Sequence, residues 1–401
     1  MKYIVILGDG MADEPIDELG GKTPLEYAKT EEMDRLAEMS EIGMVKTIPE
    51  GMKPGSDVAN LAVLGYDPKK YYSGRSPLEA LSIGAPMTDK DVAIRCNIVT
   101  ISDERDIPFE EHTIIDHSAD EISTEDCKVL LDAVRDEIEN DEYRFYLGTS
   151  YRHCLIWKGG HVVELTPPHD VLTQKIGQYL PEDKVLREMM KKSYDILKDH
   201  PLNKARIAKG LNPANCCWFW GAGTKPALTS FEKKTGKKGM MISAVDLLKG
   251  IATGAEMGVA HVEGANGGLN TNYEGKAQAA LDALLKQGYD FAYVHLEAPD
   301  EMGHQGSAEK KVKSIEYLDS RIIAPVCKGL DASGEPYRML IMPDHPTPVR
   351  LRTHVSDPIP YMIYDSTAKQ NHDWHYNEHE AAASGNFVPE GYKMIDRLFS
   401  K

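Results

Sequence analysis

The sequence predicts an α/β protein in which a largely parallel sheet, flanked by helices, is interrupted by an inserted α+β domain. Three observations carry that prediction. Apolar runs alternate with helix-like stretches before residue 86 and after residue 210, as parallel strands joined by crossover helices do. The runs at residues 3–7, 291–296 and 339–342 are each followed within a few residues by an acid or a histidine, and in open α/β sheets ligands sit beyond the carboxyl ends of the strands. Composition shifts after Gly84-Ala85-Pro86 and stays shifted to about Lys209. The expected division is residues 1–86 with 210–401 as the core and residues 87–209 as the insert.

Residues 3–7 (YIVIL) read as a central strand, and Gly8-Asp9-Gly10 turns tightly while Asp9 projects at the strand end. Thr23-Pro24 opens a helix with a capping residue and proline at its first position. Thr30, before Glu31-Glu32, reads as a second helix start, and residues 43–48 as a strand. Pro54-Gly55-Ser56-Asp57 precedes an apolar run suited to a buried helix, with Ser56 where an N-cap would sit. Capping is the ordinary fate of such a serine. The same place sets a nucleophilic oxygen beside backbone N–H groups ready to receive a phosphate. Gly74-Arg75-Ser76-Pro77 supplies a guanidinium, whose planar fork matches phosphate oxygens.

Within the insert, residues 92–101, 144–157 and 162–165 read as strands, and residues 182–197 as an amphipathic helix. Ser123 with Asp126 opens a further helix through Leu130, Leu131, Val134 and Ile138. Polar groups stand beside turns at Asp116-His117-Ser118, Arg152-His153 and Pro167-Pro168-His169-Asp170. Residues 215–223 return to a buried strand whose Trp218 and Trp220 read as core residues. Strands follow at 239–242 and 291–296, helices at 244–257 (carrying Lys249) and 275–287, and a last helix near 393–399.

The chain has 401 residues, 41% of them hydrophobic, enough for a large core in two domains. Its net charge of −17 argues against nucleic acid or an anionic membrane as main partner. A small anionic substrate stays open, because local arginine or metal charge overrides the global field. The six cysteines show no C-x-x-C spacing and no disulfide framework. Met1 runs straight into a strand-like stretch, leaving no signal peptide, and no apolar run approaches the ~20 residues that cross a bilayer. The expectation is a soluble cytoplasmic protein; the sequence does not give its oligomeric state.

Asp9, Asp300 and Asp344 each follow an apolar strand, and three carboxylates at one sheet edge repel unless a cation neutralises them. Asp300 and His304, four apart, share a face of a helical turn and can grip one ion. His345 and His354 add imidazole nitrogens, which favour manganese or zinc over magnesium or calcium. With Ser56 the set offers about seven donors, too many for one tetrahedral site but suited to two metals about 4 Å apart, as in phosphoryl transfer.

Asp9 after the first strand, Ser56 in PGSD, D-x-x-x-H at Asp300 and His304, Asp344-His345, and His354 before Pro358 and Pro360 resemble the alkaline phosphatase superfamily. More narrowly, with GRSPLEA, the RCN strand, PPHD and the AVDLLKG helix, the chain is similar from end to end to the archaeal-type cofactor-independent phosphoglycerate mutases. The resemblance implies an alkaline-phosphatase-like core with an inserted cap. It implies one metal held by Asp300, His304 and His354, and another held by Asp9, Asp344, His345 and Ser56. Ser56 would be the nucleophile, taking the phosphoryl group from 3-phosphoglycerate and returning it to the 2-hydroxyl of the bound glycerate. No 2,3-bisphosphoglycerate is needed, and the insert would act as a lid that excludes water. Manganese is the first expectation, with zinc or cobalt as alternatives. Substrate contacts are expected, from charge and position, at Arg75, Arg95, Arg152, His169 and Lys249. The likeness departs at His117 and Asp120, where relatives carry an aromatic and a glycine.

The rival readings are a homoserine kinase-like phosphotransferase of threonine synthesis, and a metal-dependent phosphatase or phosphopentomutase on the same core. The chain has no Walker A sequence, which weakens ATP use. A non-catalytic binding protein would be expected to have lost a ligand, and all seven are here.

Overall fold

The apolar runs marked as strands at residues 3–7, 43–48, 239–242, 291–296 and 339–342 join a single sheet, whereas the run at 215–223 joins another. The computed structural model describes residues 1–400 and divides into two units, residues 1–72 with 228–401, and residues 73–227. Strands are numbered β1 to β13 in chain order. In the first unit the sheet runs β13 (Phe387–Val388), β2 (Glu41–Val45), β12 (Ile359–Asp365), β11 (Tyr337–Met342), β1 (Lys2–Gly8), β10 (Phe291–Leu296), β8 (Gly239–Ile242) and β9 (Gly258–Val259). It is parallel from β11 through β9, and β12 runs antiparallel to both of its neighbours. Ile4 to Leu7 are wholly buried, as expected of a parallel strand covered on both faces.

Register decides where the functional residues emerge. Leu7 pairs with Met342 on one side and His295 on the other, so β1, β10 and β11 finish together at one edge. Asp9, the helix Ala298–His304 and Asp344-His345 all leave from that edge. Asp300 and His304 do lie one helical turn apart on that helix.

Capping follows the sequence in one place and departs from it in another. Thr23 forms the expected box with Glu26. Thr30 makes no side-chain cap for the helix Glu31–Ala37. Its N-terminal N–H groups at Met33 and Glu32 donate instead to Asp319, at 2.7 and 3.2 Å. Asp319 opens a π-helical turn, Asp319–Ile323, between the helices Ala308–Leu318 and Ala324–Ser333.

The second unit is built on an antiparallel sheet in the order β4 (Ile114–Asp116), β3 (Val92–Ile101), β6 (Arg152–Trp157) and β5 (Tyr143–Tyr146), with β7 (Cys216–Thr224) paired to β3. All ten residues of β3 are buried. The helix Thr124–Ile138 is capped by Ser123, which accepts from Asp126 N, and Asp183 caps the helix Lys184–Leu197. Residues 162–165 form no strand: Val163 and Leu165 pack onto this unit's core from an irregular segment while Val162 is exposed, and Thr166 O accepts from Trp218 Nε1 at 2.8 Å.

The unit is wider than residues 87–209. The helix Arg75–Ser82 belongs to it, with Ser73 Oγ donating to Thr224 O at 2.6 Å, Ser76 Oγ to Gly221 O, and Arg95 paired to Glu79 at 2.9 Å. Strand pairing of β7 with β3 brings in residues 216–224. Among the described residues no helix is long and apolar enough to cross a membrane.

Candidate active site

Ser56 does not cap its helix. Gly55 is the N-cap of the helix Ser56–Val63, and Ser56 is its first helical residue. Its hydroxyl is thereby free to face the sheet edge, 3.1 Å from His345 Nε2 and 3.4 and 3.5 Å from the two oxygens of Asp9. The capping role that the sequence made the ordinary expectation is taken by a backbone position instead.

Around this hydroxyl the structure gathers the six acids and imidazoles expected of a metal centre. His345 Nε2 lies 3.5 Å from Asp9 Oδ1 and 3.4 Å from Asp344 Oδ2. His304 Nε2 lies 3.2 Å from Asp300 Oδ2, and His354 Nε2 3.3 Å from Asp300 Oδ1. The rings of His345 and His354 have centroids 4.1 Å apart, which joins the two halves of the cluster. Donor atoms of Asp300, His304 and His354 fall within 4.8 Å of one another, as do those of Asp9, Asp300 and His345.

The hydrogen-bond chemistry of this cluster fits a cation. His304 Nδ1 donates to Arg352 O at 2.9 Å and His345 Nδ1 to Pro346 O at 3.3 Å, because a carbonyl can only accept. With Nδ1 as the donor, an Nε2 that carried no proton would turn its lone pair toward carboxylate oxygens and, for His304 at 3.0 Å, toward the Nε2 of His354. Acceptors facing acceptors at such distances need a proton or a metal between them. In the metal-free cluster, protons serve. The hydrogen bond to Asp300, opposed by burial, lifts His304 to about 9. Burial alone would raise Asp300, but hydrogen bonds from His304 and His354 hold it well below the usual range. Asp9 is pushed well above that range by burial, then by Asp344, Asp300 and Glu297.

Gly10 is one position where no other residue fits. Its φ is +60°, and a Cβ there would lie 2.5 Å from Thr347 Oγ1 and 2.6 Å from Asp300 Oδ1. The N–H of Gly10 donates to Asp344 Oδ1 at 3.0 Å, so the turn after β1 approaches the site with bare backbone.

Several supporting side chains escaped the sequence reading. Asn60 donates to Ser56 O at 2.8 Å and to Asp344 Oδ2 at 2.9 Å, with its own oxygen held by Tyr293 OH at 2.6 Å. The spacing of four from Ser56 was the available signal, since it puts both residues on one helix face. His295, wholly buried in β10, lies with Nε2 2.9 Å from Asp9 Oδ2 and Nδ1 3.2 Å from Ser243 Oγ. Ser243 Oγ also accepts from Val245 N, which fixes the hydroxyl beside the ring. A polar residue inside an otherwise apolar strand was its signal. Thr347 donates to Asp300 Oδ1 at 2.5 Å.

Of the five residues expected to touch substrate, four meet in the second unit. Arg75, Arg95, Arg152 and His169 line a cavity of about 350 Å³ together with Asn97, His117, Tyr151 and Trp220. Arg95 lies over the Trp220 ring at 4.0 Å, and burial lowers its guanidinium to about 10 against the pull of Glu79, so it stays charged at neutral pH. Trp220 is thus a pocket wall, held by Asn97 Oδ1 at 3.0 Å, and only Trp218 is the core residue expected of both. Lys249 belongs to the first unit, on the helix Asp246–Gly254, with Nζ 3.4 Å from Asp246.

Comparison with known proteins shows the family to which the chain belongs. Residues 37–203 match the family model described as 2,3-bisphosphoglycerate-independent phosphoglycerate mutase. A protein of that name from Methanosarcina barkeri is 49% identical over 391 residues, covering 96% of each chain. Another from Methanothrix thermoacetophila is 42% identical over 403 residues, covering 100% of each. Among solved structures, a Pyrococcus horikoshii protein has a TM-score of 0.83 at 29% identity, covering 99% of this chain and 96% of the other. A cofactor-independent phosphoglycerate mutase from Thermoplasma acidophilum has a TM-score of 0.67 at 27% identity, covering 100% and 99%.

Proposed function

Because the chain belongs to the 2,3-bisphosphoglycerate-independent phosphoglycerate mutases, an isomerase family acting on a small phosphorylated substrate, we propose that it interconverts 3- and 2-phosphoglycerate through a phosphoserine at Ser56. The observation that carries this reading is the Ser56 hydroxyl, free of any capping duty and 3.1 Å from His345 and 3.4 Å from Asp9.

Asp300, His304 and His354 would hold one divalent cation, and Asp9, Asp344, His345 and Ser56 a second, with manganese preferred by the mixed oxygen and nitrogen donors and zinc or cobalt able to substitute. When bound, such ions make the serine hydroxyl more acidic and offset charge on the transferring phosphoryl group. Ser56, at the start of its helix, offers the phosphoryl oxygens the positive end of the helix dipole. Its Oγ bonds to phosphorus as the bond to the 3-oxygen of glycerate breaks, and the proton lost by Ser56 ends on that oxygen. After glycerate reorients, its 2-oxygen bonds to phosphorus, the phosphoserine bond breaks, and the 2-hydroxyl proton returns to Ser56 Oγ. Phosphate is conserved throughout, so no bisphosphoglycerate enters.

The second unit is the proposed substrate domain. Its pocket presents three guanidinium groups and His169, donors suited to a carboxylate or phosphate. Arg95→Ala is expected to raise KM for 3-phosphoglycerate on the order of tenfold or more, with a smaller change in kcat, since it removes a charged donor to a substrate anion and none of the groups around Ser56. Steady-state kinetics decide it; an unchanged KM would remove Arg95 from the substrate contacts.

The test of the function is direct. With manganese and 3-phosphoglycerate, and without bisphosphoglycerate, the protein should form 2-phosphoglycerate in an enolase-coupled assay. A parallel reaction with homoserine and ATP should give no phosphohomoserine. The reverse pattern would overturn the reading.

A further inference from the structure

Lys311 is an ionised side chain with no access to water, and no part of the mechanism uses it. It sits on the helix Ala308–Leu318, wholly buried, and its ammonium makes three bonds: to Asp13 Oδ2 at 2.8 Å, Thr347 O at 2.9 Å and Ala12 O at 3.1 Å. An ion pair with Asp13 alone would account for one of the three. The other two go to main-chain carbonyls of different segments. Ala12 follows Asp9 in the loop after β1, and Thr347 follows Asp344-His345 in the loop after β11.

The remaining bonds in this region extend the same connection. Val349 N donates to Asp13 Oδ2 at 3.1 Å and Thr347 N to Ala12 O at 3.3 Å, so the two loops are laced together around the ammonium. Thr347 Oγ1 donates to Asp300 Oδ1, which brings in the third carboxylate. Beyond Asp13, Glu378 accepts from Asp13 N at 3.1 Å and from Thr23 Oγ1 at 2.6 Å. A methionine could fill the volume of Lys311 but would leave two buried carbonyls and the Asp13 charge without their donor.

We propose that Lys311 is a positioning residue for the metal centre, fixing relative to one another the loops that carry Asp9 and Asp344-His345. The proposal rests on the reading of those residues as metal ligands. Residues that hold metal ligands in place, without touching the metal, set its affinity.

The test uses the full chain, stripped of metal and titrated calorimetrically with manganese chloride, for wild type, Lys311→Met and the charge-neutral pair Lys311→Met/Asp13→Asn. The expected result is a rise in the manganese Kd on the order of 10- to 100-fold. The half-saturating manganese concentration for activity should shift by the same factor, with kcat returning toward wild type at high manganese. A residue that only supports the fold would lower the melting temperature with and without metal and leave Kd unchanged, and that result overturns the proposal. Failure of both variants to fold also overturns it, since the pair is then a core element. Wild-type protein that binds no manganese overturns the metal reading itself, a result distinct from a Lys311 variant that binds as wild type does.

Discussion

Replacing Ser56 with alanine should abolish mutase turnover while leaving the fold intact. Loss of an enzyme's nucleophile costs on the order of 10⁴- to 10⁶-fold in rate. The cost to stability should be within about 0.5 kcal/mol, because the hydroxyl caps no helix and alanine is the better helix former. The two quantities are therefore expected to separate: enolase-coupled rate near background, thermal melting near that of wild type. Mass spectrometry adds an independent reading. Wild-type protein quenched during turnover should carry phosphate on the peptide containing Ser56, and the variant none. A Ser56→Ala protein with a rate within tenfold of wild type would end the phosphoserine mechanism, whatever else the site does.

The sequence made the sheet edge legible because two independent signals coincide there. Apolar runs identify β1, β10 and β11, and a ligand residue follows each one. The register of Leu7 with Met342 and His295 is what converts three distant sequence positions into one site, and register cannot be read from a single strand. The local geometry at Ser56 was ambiguous for a related reason. A serine ahead of an apolar helical run is compatible with N-cap or first-turn placement, and only the backbone of Gly55 separates them.

Interactions between segments distant in sequence left no local trace. Asp319 caps a helix that starts 288 positions earlier at Glu31, and no capping pattern covers such a span. Residues 75–82 and 216–224 look like core sequence, yet strand pairing and the Arg95–Glu79 ion pair give them to the second unit. Trp220 reads as core in the sequence because tryptophan is usually well buried. Its place beneath Arg95 reflects a guanidinium that gains from an aromatic face. Charge and position in the sequence single out Arg75, Arg95, Arg152 and His169, and the second unit is what gathers them.

Chelation should inactivate the protein, and manganese should restore it. Asp9, Asp300 and Asp344 are at most 8% exposed, and such a cluster cannot be fully ionised without a compensating cation. In the metal-free state part of that compensation comes from a proton held near His304, which the neighbouring Asp300 lifts to about 9. A divalent cation must displace that proton, so binding at neutral pH releases protons and affinity weakens as pH falls. Bound metal also stabilises the fold by mass action, by about 2.7 kcal/mol per site at a metal concentration of 100 times Kd. The expected observations after treatment with chelator and dialysis are a lost rate and a melting temperature lowered by several degrees, both recovered on adding manganese. Calorimetry in buffers of different ionisation enthalpy should register the released protons. Full activity and an unchanged melting temperature in protein shown by elemental analysis to be free of metal would leave the acceptors of this cluster with no cation to face, and the two-metal reading would fall with them.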